Sequence, residues 1–156
     1  MVQKWIDQAD AGHKLAMTIP EATRFWITMD QATAFTVKVL GLMRGGEIFI
    51  PEMGSSTLAS LAHAVAPTAD HERIPMRAGE KLHEVVVSRD EAVRTVTIPQ
   101  GGYYYVIEPA DPKWDYTGPG RVVYHKTCGI TPQDASSFNA RRLSAEDLAG
   151  MLETVP

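Results

Sequence analysis

The chain has 156 residues, 44% of them hydrophobic and 22% charged, the balance of an ordinary soluble globular protein long enough to bury a real core. A formal net charge of −4 and a pI near 5.7 exclude a general nucleic-acid binder, whose electrostatic footprint is basic. No apolar run is long enough to span a bilayer, the N-terminus carries charges and no signal-peptide core, and the single Cys128 suits a reducing compartment, which together read as a cytoplasmic chain.

Met1 to Ala11 reads as a short amphipathic helix with Val2, Trp5, Ile6 and Ala9 on one side, ended by Gly12. Leu15 to Ile19 is a short apolar strand closed by Pro20. Arg24 to Ile27 is extended and aromatic; Thr28 then caps a helix, with Gln31 completing a capping box. Ala32, Phe35, Val39, Leu40 and Met43 follow at helical spacing and predict a core face. Gly45 and Gly46 release the chain into a strand from Glu47 to Ile50, stopped by Pro51. Ser55 or Ser56 caps a second helix carrying Leu58, Leu61, Ala62 and Val65 on one face and ending at Pro67. His71 to Met76 is a candidate strand, and Val85 to Val87 is apolar. Ser88 and Glu91 make another capping box, for a helix to about Thr95. Pro99, Gly101 and Gly102 turn the chain into a strand from Tyr103 to Ile107, whose three tyrosines alternate across it.

After Pro109 the texture changes to a glycine- and proline-punctuated surface extension with a candidate strand at Arg121 to Tyr124. A last helix begins at Ser144, with Asp147 at its third position and Leu143 and Leu148 placed for a hydrophobic staple. The expected organisation is a main domain over residues 1–109 and a C-terminal extension with a terminal helix over 110–156. Strands alternate with helices, so the fold class is α/β, in the mixed α+β sense.

The densest chemistry lies in MRAGEKLHE, Met76 to Glu84. Arg77 can fork onto a phosphate, Lys81 adds a point charge, and Glu80 can accept from sugar hydroxyls. Gly79 lets backbone approach a ligand or turn sharply. The same nine residues also read as a charged turn entering a helix or strand, the commoner case. Arg24, beside Phe25 and Trp26, reads equally as a phosphate clamp and as a stem packed on aromatics. The histidines, His13, His63, His71, His83 and His125, are too scattered for a metal pair, and Cys128 reads as an incidental thiol even with His125 nearby. No G-x-G-x-x-G opens a helix, and no tyrosine is followed by a lysine four residues on.

Three blocks taken together, TRFWIT at Thr23–Thr28, GGEIFIP at Gly45–Pro51 and RAGEKLHE at Arg77–Glu84, resemble one family in wording, order and spacing. They are similar to the C-terminal half of UDP-N-acetylglucosamine 4,6-dehydratases of bacterial surface-polysaccharide synthesis, in the extended short-chain dehydrogenase/reductase superfamily. Gly12–Ala22 and Ser88–Thr95 fit as well, and PADPKWDY and SSFNARRLS resemble the tail of the capsule and O-antigen branch, which pairs dehydration with 5-epimerisation.

The resemblance implies the substrate-binding part of an extended fold, without the N-terminal Rossmann half that carries the NAD(P) site and the Tyr-x-x-x-Lys pair of the intact enzyme. No cofactor-binding, catalytic or metal residue is then expected in this chain. Residues 1–109 become a nucleotide-sugar-binding domain. Thr23, Arg24 and Phe25 match the block lining the nucleotide-sugar pocket, Arg77 the arginine that neutralises the diphosphate, and Glu80 the acid at the nucleoside end. Ala78 departs from the family proline, which loosens the loop. Lys81, His83 and Glu84 match the motif with structural roles. The implied partners are a UDP-sugar and either further copies of the chain or a Rossmann-domain partner. A non-catalytic assembly module and a truncation remnant stay open as alternatives.

Overall fold

The computed structural model describes residues 1–43, 45–99, 103–110, 135–137 and 139–155. In chain order the elements are α1 (Val2–Asp10), β1 (Leu15–Met17), β2 (Thr23–Trp26), α2 (Met29–Leu40), β3 (Ile48–Pro51), β4 (Gly54–Thr57), α3 (Leu58–Val65), β5 (His71–Arg73), α4 (Arg89–Ala92), β6 (Thr95–Pro99), β7 (Tyr103–Ile107) and α5 (Ala145–Leu152). This is the mixed α/β class expected. The candidate strand at Arg121–Tyr124, the pair His125 and Cys128, and the turn glycines Gly101 and Gly102 lie outside the described residues.

The chain forms two compact units. The first comprises Met1–Thr28, Met53–Glu84 and Ser137–Pro156, and the second Met29–Glu52 and Val85–Ser136. Of the expected 110–156 extension, Ala135 and Ser136 thus belong to the second unit and Ser137–Pro156 to the first.

In the first unit, α3 packs against both α1 and α5, and α1 also covers β1. Trp5, Leu15, Met17, Leu58, Leu61, Ala62 and Leu148 close one core, with Val2, Ala9 and Leu143 packed on it. The spacing of Val2, Trp5 and Ala9 on α1 makes that face, and each fully buried leucine contributes about 1.5–3 kcal/mol of burial. The staple expected at α5 forms: Leu143 and Leu148 join the same core, and Ser144 and Asp147 complete a reciprocal capping box. β1 and β5 pair in parallel, and β2 and β4 antiparallel. Single bridges add His83 beside Thr23 and Arg142 beside Ser55, so β2–β4 is flanked on both sides.

Ser55 and Ser56 do not cap α3. Both are buried in β4, where Ser56 accepts from the Trp26 indole at 2.8 Å, and the cap is Thr57, accepting from the Ser60 amide at 3.0 Å. A Gly-Ser-Ser-Thr run has little strand propensity of its own. It is extended because β2, distant in sequence, pairs with it. A Cβ at Gly54 would overlap the Leu143 side chain, so a larger residue at this crossing would force Leu143 to move.

In the second unit, β3, β7 and β6 form an antiparallel sheet with β7 at the centre. The period-two alternation puts Phe49, Val96, Ile98, Tyr104 and Val106 on one face and Ile50, Tyr105 and Ile107 on the other. Phe35 of α2 meets the Tyr104 ring edge-on at 5.8 Å between centroids. The helix expected to run to about Thr95 stops at Ala92, because the β-branched run Thr95–Ile98 pairs with β7 instead. Its capping box, Ser88 with Glu91, forms as expected. The core face expected on α2 is only partly so. Phe35 packs inward, whereas Leu40 is 62% exposed and Met43, just past the helix, 46%. Helical spacing identifies an apolar stripe but not what covers it.

Candidate functional site

The site grows from the flank of β2. The chain past β5 runs beside that strand and accepts from it, the Thr23 amide donating to the Leu82 carbonyl at 2.9 Å. Before that point it makes a tight turn, Arg77 to Glu80, closed by the Glu80 amide on the Arg77 carbonyl at 3.1 Å. Gly79 takes φ 82, the left-handed angle that the third position of a type II turn demands. Ala78 occupies the second position, where proline would fix φ; this is why the departure at Ala78 is compatible with the turn.

Glu80 folds back over its own turn. Its Oε1 accepts from the Thr18 hydroxyl at 2.8 Å and from Arg24 at 3.1 Å, and its Oε2 accepts from the Arg77 amide at 3.3 Å. The guanidinium of Arg24, mostly buried, also reaches the carbonyls of Thr23 and Leu82 and lies 3.8 Å from Glu84 Oε1. Glu84 in turn accepts from the Phe25 amide at 2.9 Å. Behind this row sits a buried knot. Thr23 Oγ1 bonds His83 Nδ1 at 2.8 Å and the Ser137 hydroxyl at 2.7 Å, and the Glu84 amide donates to that same hydroxyl.

In front of the row opens a cleft of about 640 Å³, within the range of small-molecule sites. Lys4 and Trp5 of α1, Met17 at the end of β1 and Thr18 just past it, Arg24, and Arg77 to Glu80 line it. Ion pairs among the described residues include those of Lys14, Arg24 and Arg141. Lys4 and Arg77 are in none of them, so the cleft wall carries cationic charge not spent on a salt bridge. Such a wall suits an anion bearing hydroxyl groups.

Of the residues singled out from sequence, Arg24, Arg77 and Glu80 therefore meet at one cleft. Arg24 lines the cleft and spans two carboxylates there, Glu80 and Glu84. Thr23 is 1% exposed and turned into the knot, and Phe25 does not line the cleft. His83 and Glu84 hold the framework. Lys4 and Thr18 are not legible from sequence: a lysine on a helix and a threonine just past a strand carry no local signal.

The hydroxyl of Thr18 is the main reason that the Glu80 carboxyl is held below its ordinary value of 4.5; the Arg77 amide and the charges of Arg24 and Arg77 act the same way, against desolvation. A carboxyl lowered on folding contributes stability that is present above its ordinary pKa and lost as pH falls through the lowered one. Asp147 in the α5 cap is shifted in the same direction by the Ser144 amide and Arg141. The urea midpoint of the chain is therefore expected to fall on acidification below about 4.5, and to fall less steeply in Glu80→Gln. An unchanged acid limb in that variant would contradict the assignment.

The nicotinamide dinucleotide implied for the intact family enzyme does not fit the described residues. A dinucleotide needs a glycine-rich turn from strand into helix with free amides at the helix start. At α3 and α4 the Ser60 and Glu91 amides are taken by Thr57 and Ser88, and the left-handed glycines, Gly12, Gly45, Gly46 and Gly79, open no helix. No His, Cys, Asp or Glu cluster among the described residues has the makings of a metal site, and no described helix is long and apolar enough to cross a membrane.

The family described as "Polysaccharide biosynthesis protein" matches residues 1–107. A UDP-N-acetylglucosamine 4,6-dehydratase (inverting) of Campylobacter jejuni strain 81-176 is 40% identical over 102 residues, which is 65% of this chain and 30% of that protein. A UDP-glucose 4-epimerase of Rickettsia canadensis is 27% identical over 99% of this chain and 45% of its own length. The X-ray structure of Pen from Bacillus thuringiensis shares the fold, with a TM-score of 0.78 and 20% identity over the whole of this chain and 46% of that one. The chain thus spans less than half the length of these relatives. With more than half of its residues matched and its mixed fold shared throughout, the chain belongs to the polysaccharide biosynthesis protein family of extended short-chain dehydrogenase/reductases.

Proposed function

We propose that this chain is the UDP-sugar-binding portion of a UDP-N-acetylglucosamine 4,6-dehydratase/5-epimerase of capsule or O-antigen biosynthesis, working in the cytoplasm. The observation that carries the reading is the convergence of Arg77, Lys4 and Glu80 on one cleft. In this reading Arg77 forks onto the diphosphate, Lys4 adds a second positive charge from α1, and Glu80 accepts from hydroxyls of the nucleoside. The names of the Campylobacter relatives support the choice of sugar nucleotide. The redox chemistry then falls outside the described residues, to a Rossmann-domain partner.

Arg77 is exposed and bears no salt bridge, so Arg77→Ala is expected to leave the unfolding midpoint unchanged. It is expected to weaken UDP-N-acetylglucosamine binding by about 10- to 100-fold, the range for a lost charge-assisted hydrogen bond. Titration calorimetry at two salt concentrations reads both the affinity and its electrostatic part. An affinity for the sugar nucleotide that ignores Arg77 and salt would contradict the reading.

A further inference from the structure

Glu80 is doubly held on one oxygen and lightly held on the other. Oε1 takes the Thr18 hydroxyl at 2.8 Å and Arg24 at 3.1 Å, while Oε2 takes the long bond from the Arg77 amide at 3.3 Å. A carboxylate oxygen has about two lone-pair sites. Oε1 is therefore filled within the protein, and acceptor capacity is left on Oε2. Thr18 is 8% exposed and lines the cleft itself, just past β1, whose backbone is fixed by the parallel pairing with β5.

We propose that Thr18 is a positioning residue for ligand selection: by occupying Oε1 it orients the Glu80 carboxylate so that the acceptor site left on Oε2 receives a hydroxyl of the ribose diol. The inference rests on the nucleotide-sugar reading above and deepens it. A hydroxyl on a short, β-branched side chain does this better than a charged partner. It fixes the rotation of the carboxylate without filling the cleft, and its χ1 is stiff. Arg24, held by Glu84 and two carbonyls, braces the same oxygen from the protein side. The pair leaves the carboxylate little freedom to turn, so a ligand lacking the diol gains nothing from it.

The test compares UDP with 2′,3′-dideoxy-UDP by titration calorimetry on the wild-type chain and on Thr18→Val, Thr18→Ser and Glu80→Gln. Valine keeps the shape and removes the hydroxyl; serine keeps the hydroxyl. UDP affinity is expected to fall about tenfold in Thr18→Val, to return in Thr18→Ser, and to fall at least as far in Glu80→Gln. The affinity for dideoxy-UDP is expected to be low throughout and indifferent to residue 18, which a merely structural role for Thr18 would not produce. Wild-type binding of UDP with no loss in Thr18→Val, or with equal losses for both ligands, overturns the inference and spares the nucleotide-sugar reading. Equal wild-type affinity for the two ligands overturns it as well. A wild-type chain that binds no UDP overturns both.

Discussion

Trp5→Ala is expected to destabilise the first unit by about 3–5 kcal/mol, the usual cost of truncating a buried tryptophan. Trp5 is 2% exposed and touches a core built from α1, β1, α3 and α5, so the void has no local way to collapse. The substitution also removes the bond from the indole Nε1 to the Ala16 carbonyl at 2.9 Å, which ties α1 to β1. Domain stabilities are on the order of 5–15 kcal/mol, so much of the margin goes with one side chain. Because Trp5 is itself a fluorophore, far-ultraviolet circular dichroism in urea is the measurement to use. Trp5→Phe keeps most of the packing and loses only the hydrogen bond, and a drop of about 1 kcal/mol is expected there. Equal effects of the two variants would mean that the bond, not the packing, holds α1 in place. Trp5 also lines the cleft, so the alanine variant is expected to bind UDP-N-acetylglucosamine more weakly even where it remains folded.

Arg24→Met comes next in size, with an expected loss of about 2–3 kcal/mol. The side chain of Arg24 is 14% exposed and faces Glu80 and Glu84, 20% and 43% exposed, besides two backbone carbonyls. Breaking a fully buried pair costs more, but water reaches both carboxylates here and reduces the penalty. Methionine fills the volume of the stem and removes the fork, which isolates the polar contribution. Arg24→Lys keeps the charge, but a point charge cannot serve both carboxylates and both carbonyls, so it is expected to recover less than half the loss. Sugar-nucleotide affinity is expected to fall in parallel, since the Arg77–Glu80 turn loses its brace. A variant that unfolds like wild type yet binds no ligand would make Arg24 a direct ligand contact and not a strut.

Local patterns in the sequence were enough for the elements that depend on local chemistry. The spacing of Val2, Trp5 and Ala9, the capping boxes at Ser88 and Ser144, and the alternation of Tyr104 and Tyr105 each follow from neighbours within a few residues, and each appears as expected. Elements made by distant partners were not legible. β4 exists because Gly54–Thr57 meets β2, and β6 because Thr95–Pro99 meets β7. The site shows the same division. Arg77 and Glu80 are readable because glycine and two charges crowd one turn. Thr18 is not, since its partner lies 62 residues away. Thr23 and Arg24 share a block with Phe25, yet the strand sends their side chains to different tasks: a buried knot for one and a carboxylate clamp for the other.

The most direct test of the account is an amide NMR titration of the chain with UDP-N-acetylglucosamine. Saturable shifts are expected at Thr18, Arg77, Ala78, Gly79 and Glu80 and at the Trp5 indole, with the sheet of β3, β7 and β6 unmoved. Shifts confined to that sheet, or none at concentrations that saturate an intact dehydratase, would contradict the placement of the sugar nucleotide in this cleft.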